Sequence, residues 1–332
     1  MLNIKETILA FQNLKVLIVG DVMLDAYLYG KMTRISPEAP VPIVEIEKKE
    51  TRPGGAANVA LNIQALGAKP ILCSVIGRDK EGEQLKKILA ESEISTKYLQ
   101  VSTARRTTVK TRVLAQNQQI LRYDEEDVVG LNTAEKSKLK QSIKDILEEF
   151  EIDVILFQDY NKGVLQQKVI RELLLIAIKK DIPTVVDPKN NNFFAYKRTS
   201  LFKPNLKEIN TNLPFQSAVN LADLTAASNH IQSELKNTNL LITLSDKGIF
   251  YDDGNTQEIL ATNPRNIADV CGAGDSVISV AALGIALKLP LKDIATLANL
   301  AGGQVCEKVG VVPVSARELE EDYLDLIVKN GR

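Results

Sequence analysis

Short apolar runs rich in β-branched residues recur along the chain, at 15–21 (KVLIVGD), 69–77 (KPILCSVIG), 153–159 (DVILFQD), 182–188 (IPTVVDP) and 240–248 (LLITLSDKG). Between them, at 56–66, 80–92, 134–150, 167–180 and 218–235, apolar positions return every three or four residues, the mark of amphipathic helices. This alternation predicts a doubly wound, mostly parallel sheet covered by helices on both faces. In such α/β sheets ligands bind beyond the carboxyl ends of the strands. Three of the runs end there in an acid, Asp21, Asp159 and Asp187. Each acid is equally suited to capping a helix or turn.

Two segments break the alternation: 27–50 and 105–124 have β character with no helix, and the second carries a hairpin-like AQNQQ tip. They predict a small accessory sheet with strands from about 22–50 and 105–124. A small sheet with one apolar face is expected to cover a cleft, pair with another subunit, or do both.

The 332 residues exceed the usual single-domain range, yet α/β folds often grow large as one unit, so one domain over 1–332 with an appendage is the simplest organisation. Lys plus Arg (41) nearly cancels Asp plus Glu (42), which leaves no global field to gather nucleic acid or an anionic membrane. The N-terminus lacks the pattern of a secretion signal, and the longest uncharged apolar stretch, 276–287, is too short to span a bilayer. A cytoplasmic location is expected. Cys73, Cys271 and Cys306 are widely spaced and show no paired-cysteine metal pattern. A single histidine, His230, removes Ser-His triads and His-based nucleotidyl transfer. Catalysis therefore falls to carboxylates, lysines, arginines and the backbone.

The stretch DVCGAGDS at 269–276 leads directly into an apolar helix pattern. Gly272, Ala273 and Gly274 leave backbone N–H groups unobstructed at a helix start, where orphan donors and the positive dipole end favour an anion. Asp275, in the first helical turn, is placed to accept a hydroxyl proton. A Gly-rich turn with Asp275 as a cap is the structural alternative. In RPGGAANVALNIQALGA (52–68), Gly54 and Gly55 permit close backbone approach, and Asn58 can donate to and accept from a polyhydroxylated ligand; helix packing explains the pair equally well. In KPNLKEI (203–209), Asn205 and Glu208 share a helical face suited to phosphate or Mg²⁺-bound water, or form a capping box. DPKNNN adds Asp187 and Lys189 at a strand end.

In order, these four elements resemble the ribokinase (PfkB) family of carbohydrate kinases over nearly the whole chain. The resemblance implies a ribokinase-like fold with a β-sheet lid, and transfer of the ATP γ-phosphoryl group to a sugar hydroxyl with Mg²⁺, leaving room for a monovalent cation. It makes Asp275 the base and the backbone of Gly272, Ala273 and Gly274 the anion hole. Asn205 and Glu208 then organise Mg²⁺ and phosphates, Glu208 through water, with Asp187, Lys189, Ser245 and Gly248 on the nucleotide side. Asp21, Gly54, Gly55, Asn58 and Asp159 would hold the sugar.

GDVMLDAYLYGKMTRISPEAPVPIVEI, RVLAQNQQILRYD and QDYNKGVL are further similar to the branch that phosphorylates D-glycero-D-manno-heptose 7-phosphate to the 1,7-bisphosphate in lipopolysaccharide synthesis. That substrate's phosphate gives the cations near the lid a purpose. Arg34 foremost, then Arg52, Lys162, Arg112 and Arg122, are the candidates to grip it, each also consistent with a solvated surface charge. Bifunctional members of the branch continue into a His-containing nucleotidyltransferase, which this chain is expected to lack, leaving adenylyl transfer to a separate enzyme. Cys271 stands where the usual loop has Thr, and Leu244 where the bifunctional enzymes tend to have Arg, which bears on the nucleotide contacts. A homodimer through paired lids is expected, with a self-covering monomer as the alternative. Kinases of another sugar, sugar phosphate or nucleoside, and a non-catalytic sugar or nucleotide sensor, are the competing functions.

Overall fold

The structure, a computed structural model, describes residues 2–116, 118–262 and 265–330; Asn117, in the expected AQNQQ tip, lies outside the described residues. Its main sheet has nine strands in the order Gln257–Leu260, Ile249–Asp252, Asn239–Thr243, Leu201–Phe202, Thr184–Asp187, Val154–Gln158, Lys15–Gly20, Lys69–Gly77, Leu99–Ser102. All neighbours are parallel except the antiparallel pairs made by the two strands at the first edge.

The strand Lys15–Gly20 explains the continuous apolar runs. Val16 and Ile18 enter one buried core with the helices Ala56–Ala65 and Ala273–Ala286, while Leu17 and Val19 enter a second core on the opposite face. A strand covered on both faces has no wet side, so alternation disappears. From Lys15–Gly20 the sheet also grows outward in both directions, which makes this strand and its neighbour Val154–Gln158 a topological switch point. A crevice opens at the carboxyl ends of such strands.

The helices start at polar caps. Asp79 caps Lys80–Glu91, and Asn132 with Glu135 forms a capping box on Thr133–Glu149. Asn220 caps Leu221–Leu235, which moves the expected start at 218 to a later residue. The apolar run at 240–248 needs a larger correction. It stops as a strand at Thr243, turns through a short 3₁₀ segment Ser245–Lys247 with Ser245 at φ 57°, and reverses into Ile249–Asp252.

The accessory sheet has four strands, Pro42–Gly55, Val22–Ile35, Thr108–Ala115 and Gln118–Glu125, with the middle pair parallel and the outer pairs antiparallel. Val22 follows Asp21 without a connector, and Gly55 leads straight into the helix Ala56–Ala65. Among the described residues no helix is long and apolar enough to cross a membrane.

Candidate active site

Because Lys15–Gly20, Val154–Gln158 and Thr184–Asp187 are adjacent and parallel, their carboxyl ends bring Asp21, Asp159 and Asp187 together. Two of the three act on the protein itself. Asp21, 1% exposed, accepts the backbone N–H groups of Tyr160 (2.9 Å) and Lys162 (3.1 Å) on Oδ2 and of Val164 (3.0 Å) on Oδ1. Asp159 accepts the N–H of Asn161, the Asn192 amide and the Tyr196 hydroxyl, and burial followed by the nearby Asp21 charge raises its carboxyl to about 6. Both carboxylates tie down the 159–165 loop, and each keeps acceptor capacity beyond these three bonds. Asp187 is paired with the buried Lys203 ammonium at 3.1 Å.

Asp275 sits above this crevice in the first turn of Ala273–Ala286. Gly272 caps the helix in the left-handed region (φ 81°), and a Cβ there would come within 3.1 Å of the Asn58 amide, so glycine suits both backbone and space. The first-turn N–H groups have no intrahelical acceptor, and a Cβ on Gly274 would stand 3.8 Å from Asp187 Oδ2 at its strand end. Asp275 is 3% exposed and accepts three hydrogen bonds: Asn58 on Oδ2 (2.8 Å), and Gln158 (3.0 Å) and the Tyr160 hydroxyl (2.8 Å) on Oδ1. Burial is the largest influence on its carboxyl and carries it up to about 7, against the lowering effect of its donors. A carboxylate with that value near neutral pH suits proton acceptance. Asn58 is fully buried, its Oδ1 accepts from Asn62 and its amide donates to Asp275, so it orients that carboxylate.

A cavity of about 760 Å³ opens beside the loop, with Leu244, Ile249 and Val277 on its apolar side and Asn205, Ser245 and Gly274 at its polar end. Asn205 and Glu208 form the capping box of Leu206–Asn212, each side chain accepting the other's backbone N–H at 2.9 Å. The second oxygen of Glu208 pairs with Lys189, whose ammonium also lies 5.4 Å from the Tyr160 ring centroid. Each Glu208 oxygen thus already accepts one contact from the protein. Among the described residues no group of three or more His, Cys, Asp or Glu side chains is arranged to hold a metal ion. The donor set fits a magnesium ion that takes phosphate oxygens and water as ligands, with Glu208 and Asn205 behind them.

The lid presents its polar face to the same crevice. Register places Asp25, Arg52, Lys110 and Asp124 in one cross-strand row and Tyr27, Glu50, Arg112 and Arg122 in the next. Arg112 makes a buried ion pair with Asp25 (2.5 Å) and lies over the Tyr27 ring. Arg52 pairs with Glu50 and donates to the Val309 and Val311 carbonyls, Arg122 chelates Asp124, and Lys162 pairs with Glu126. Arg34 is exposed near the far end of Val22–Ile35, nine residues beyond Asp25 and so about 30 Å along the strand.

The profile of the pfkB family carbohydrate kinases matches residues 13–317. The chain belongs to this family. The Bifunctional protein HldE of Syntrophotalea carbinolica is 36% identical to the kinase over 96% of the kinase chain and 65% of its own length. That of Pseudomonas aeruginosa (strain LESB58) is 40% identical over 93% and 63%. The kinase thus spans a little under two thirds of these relatives. The structure of phosphofructokinase-2 from Escherichia coli in complex with potassium superposes with a TM-score of 0.79 at 20% identity, covering 94% of the kinase and 99% of that chain. The form in complex with substrates and products gives 0.78 at 21%, with the same coverage. These two show the ribokinase-like fold.

Five residues of the kinase's site escaped sequence reasoning: Asp25, Lys110, Gln158, Tyr160 and Lys203. Gln158 and Tyr160 flank a strand-end acid inside a quoted motif, and that adjacency was a usable signal. Gly54 is needed for Asp25, since a Cβ there would stand 2.1 Å from Asp25 Oδ2. Cys271 donates its N–H to Asp269, outside the Gly272–Gly274 donors, and Leu244 is buried in the cavity wall.

Proposed function

We propose that this kinase transfers the γ-phosphoryl group of ATP to the anomeric hydroxyl of D-glycero-D-manno-heptose 7-phosphate, giving the 1,7-bisphosphate. The observation that carries the reading is the meeting of a buried carboxylate, Asp275, with a helix N-terminus on one side and a cation-rich lid face on the other. The lid rows hold four cations (Arg52, Lys110, Arg112, Arg122) and three carboxylates (Asp25, Glu50, Asp124), which favours an acceptor that brings its own phosphate. Lys110 is the leading contact. It is mostly buried, and desolvation followed by the Lys162 charge lowers its ammonium below the usual lysine range. Arg105 adds a buried Nη1 with no hydrogen-bond partner among the described residues. Similarity to the HldE proteins at 36–40% identity supports the same branch.

In the proposed step the sugar oxygen forms a bond to the γ-phosphorus as its proton passes to Asp275, and the bond from phosphorus to the β,γ-bridging oxygen breaks to release ADP. The first-turn N–H groups at Gly272–Gly274 stabilise charge on the transferring group. Bound Mg²⁺ supplies charge neutralisation on the phosphates. Lys189 and Lys203 add fixed positive charge nearby. The reaction draws on cytoplasmic ATP, and the chain acts as one catalytic domain.

The outer lid face carries Ala26, Leu28, Val113, Leu121 and Tyr123 in two adjacent rows, with Leu121 55% and Tyr123 43% exposed. An apolar sheet face of this kind supports a homodimer through the lids. Another neighbour in fold is described as the tetrameric inhibited form of phosphofructokinase-2.

The deciding experiment is ADP release with ATP and Mg²⁺ across heptose 7-phosphate, hexose phosphates, neutral sugars and nucleosides, with phosphorus NMR of each product. An anomeric phosphate formed from the heptose alone is expected. Faster turnover of a neutral sugar overturns the acceptor, and binding without turnover across the panel favours a sensor.

A further inference from the structure

We infer that Tyr160 positions the proton acceptor: its hydroxyl, together with the Gln158 amide, occupies Oδ1 of Asp275 and leaves Oδ2 as the oxygen that receives the sugar's proton. The inference rests on the reading of Asp275 as the base.

A carboxylate has about two acceptor sites on each oxygen. Oδ1 of Asp275 takes two donors, Tyr160 at 2.8 Å and Gln158 at 3.0 Å, and is filled. Oδ2 takes one, Asn58 at 2.8 Å, and keeps a site open. The donors are themselves held. Asn58 is tied to Asn62, and Gln158 also reaches Asp187 at 3.2 Å. Tyr160 has its N–H on Asp21 and its ring beneath the Lys189 ammonium. Buried beside Asp275, the phenol stays protonated far above its ordinary value, so it acts towards the carboxylate as a donor. The charged groups around Asp275 are Asp187 and its partner Lys203, Asp25 from the lid base, and Lys189. None of these supplies the contact that the Tyr160 hydroxyl makes.

The ring and the hydroxyl of Tyr160 have separable roles, which gives the test its shape. Tyr160→Phe keeps the ring under Lys189 and removes the donor. It should lower kcat about tenfold, leave both KM values within about twofold, and move the acid limb of kcat upward by about one pH unit, because a carboxylate that loses a donor holds its proton more tightly. Tyr160→Leu removes the ring as well and should raise KM for ATP in addition. Replacing Tyr160 with 2,3-difluorotyrosine strengthens the donor without changing the fold and should move the limb downward. Limbs that stay at the parent position in both the Phe and the difluorotyrosine variants overturn the inference, provided Asp275→Asn is still severely impaired. An Asp275→Asn enzyme of near-parent activity would overturn the base assignment itself, a separate outcome. If Tyr160→Phe melts well below the parent, the difluorotyrosine protein alone carries the decision.

Discussion

The two sides of the crevice are built differently. On the side formed by the strand ends and the starts of two helices, Asp21, Asn58, Gln158, Asp159, Asp187 and Asp275 are all under 5% exposed, and each has named partners at hydrogen-bond distance. On the lid, apart from the buried Asp25–Arg112 pair and the mostly buried Lys110, charged groups meet in partly exposed pairs such as Arg122–Asp124 and Arg52–Glu50. Buried hydrogen bonds to a charge are strong and costly to leave unmade, whereas exposed pairs are weak and screened by salt. The buried side can therefore hold a base to a fixed geometry, and the lid side can exchange one ion pair for another when an anion arrives.

The largest expected contrast is at Asp275. Asp275→Asn should lower kcat about 10²- to 10⁴-fold with ATP binding retained, measured by ADP release and nucleotide titration. The same variant should be more stable than the parent at alkaline pH. Burial raises this carboxyl to about 7, so the folded chain binds the proton more tightly than the unfolded one. Its contribution is full in acid and is lost as pH rises towards and through about 7, a loss the asparagine escapes. Melting curves at pH 4 and pH 8 should show the variant's advantage mainly at the higher pH. For the same reason kcat of the parent should fall as pH drops through about 7.

Next comes Arg112→Ala, which strands the Asp25 carboxylate in a site where both partners are under a tenth exposed. A loss of about 3 kcal/mol in urea unfolding is expected. On the adaptable side, Lys110→Ala should raise KM for a sugar phosphate about tenfold and leave KM for ATP nearly unchanged. Equal changes in both would move the phosphate site elsewhere. The smallest effect belongs to Arg34→Ala, at most about twofold on either KM in a protein whose lid end is solvated.

The sequence made the scaffold legible where burial is two-sided, as in Lys15–Gly20 and Lys69–Gly77, because uninterrupted apolar runs have few other uses. It concealed Leu201–Phe202, since two residues carry no period, and the reversal after Thr243, since the apolar Leu244 continues the run while Ser245 takes a left-handed turn. The Gly272–Asp275 loop was readable because its chemistry is local: donors, dipole and carboxylate lie within one turn. Asp21 and Asp159 were legible as acids at the right edge but not as staples. Their partners, the N–H groups of 160–164 and the side chains of Asn192 and Tyr196, are distant along the chain. A carboxylate's identity does not say which donor reaches it first. Arg34 makes a related point: membership of a recognisable motif does not fix how far along a strand a residue stands from the chemistry.

The direct passage from Gly20 through Asp21 to Val22, and from Gly55 into Ala56, has a practical meaning for protein engineers. The lid is not a detachable cassette. A graft cut at its base would replace Asp25 and Gly54 together, immediately beside the Asp21 carboxylate that holds the loop carrying Tyr160. A lid exchange aimed at a new acceptor should be spliced farther out, near the register shifts at Tyr29/Gly30 and Met32/Arg34, where the ladder is already irregular.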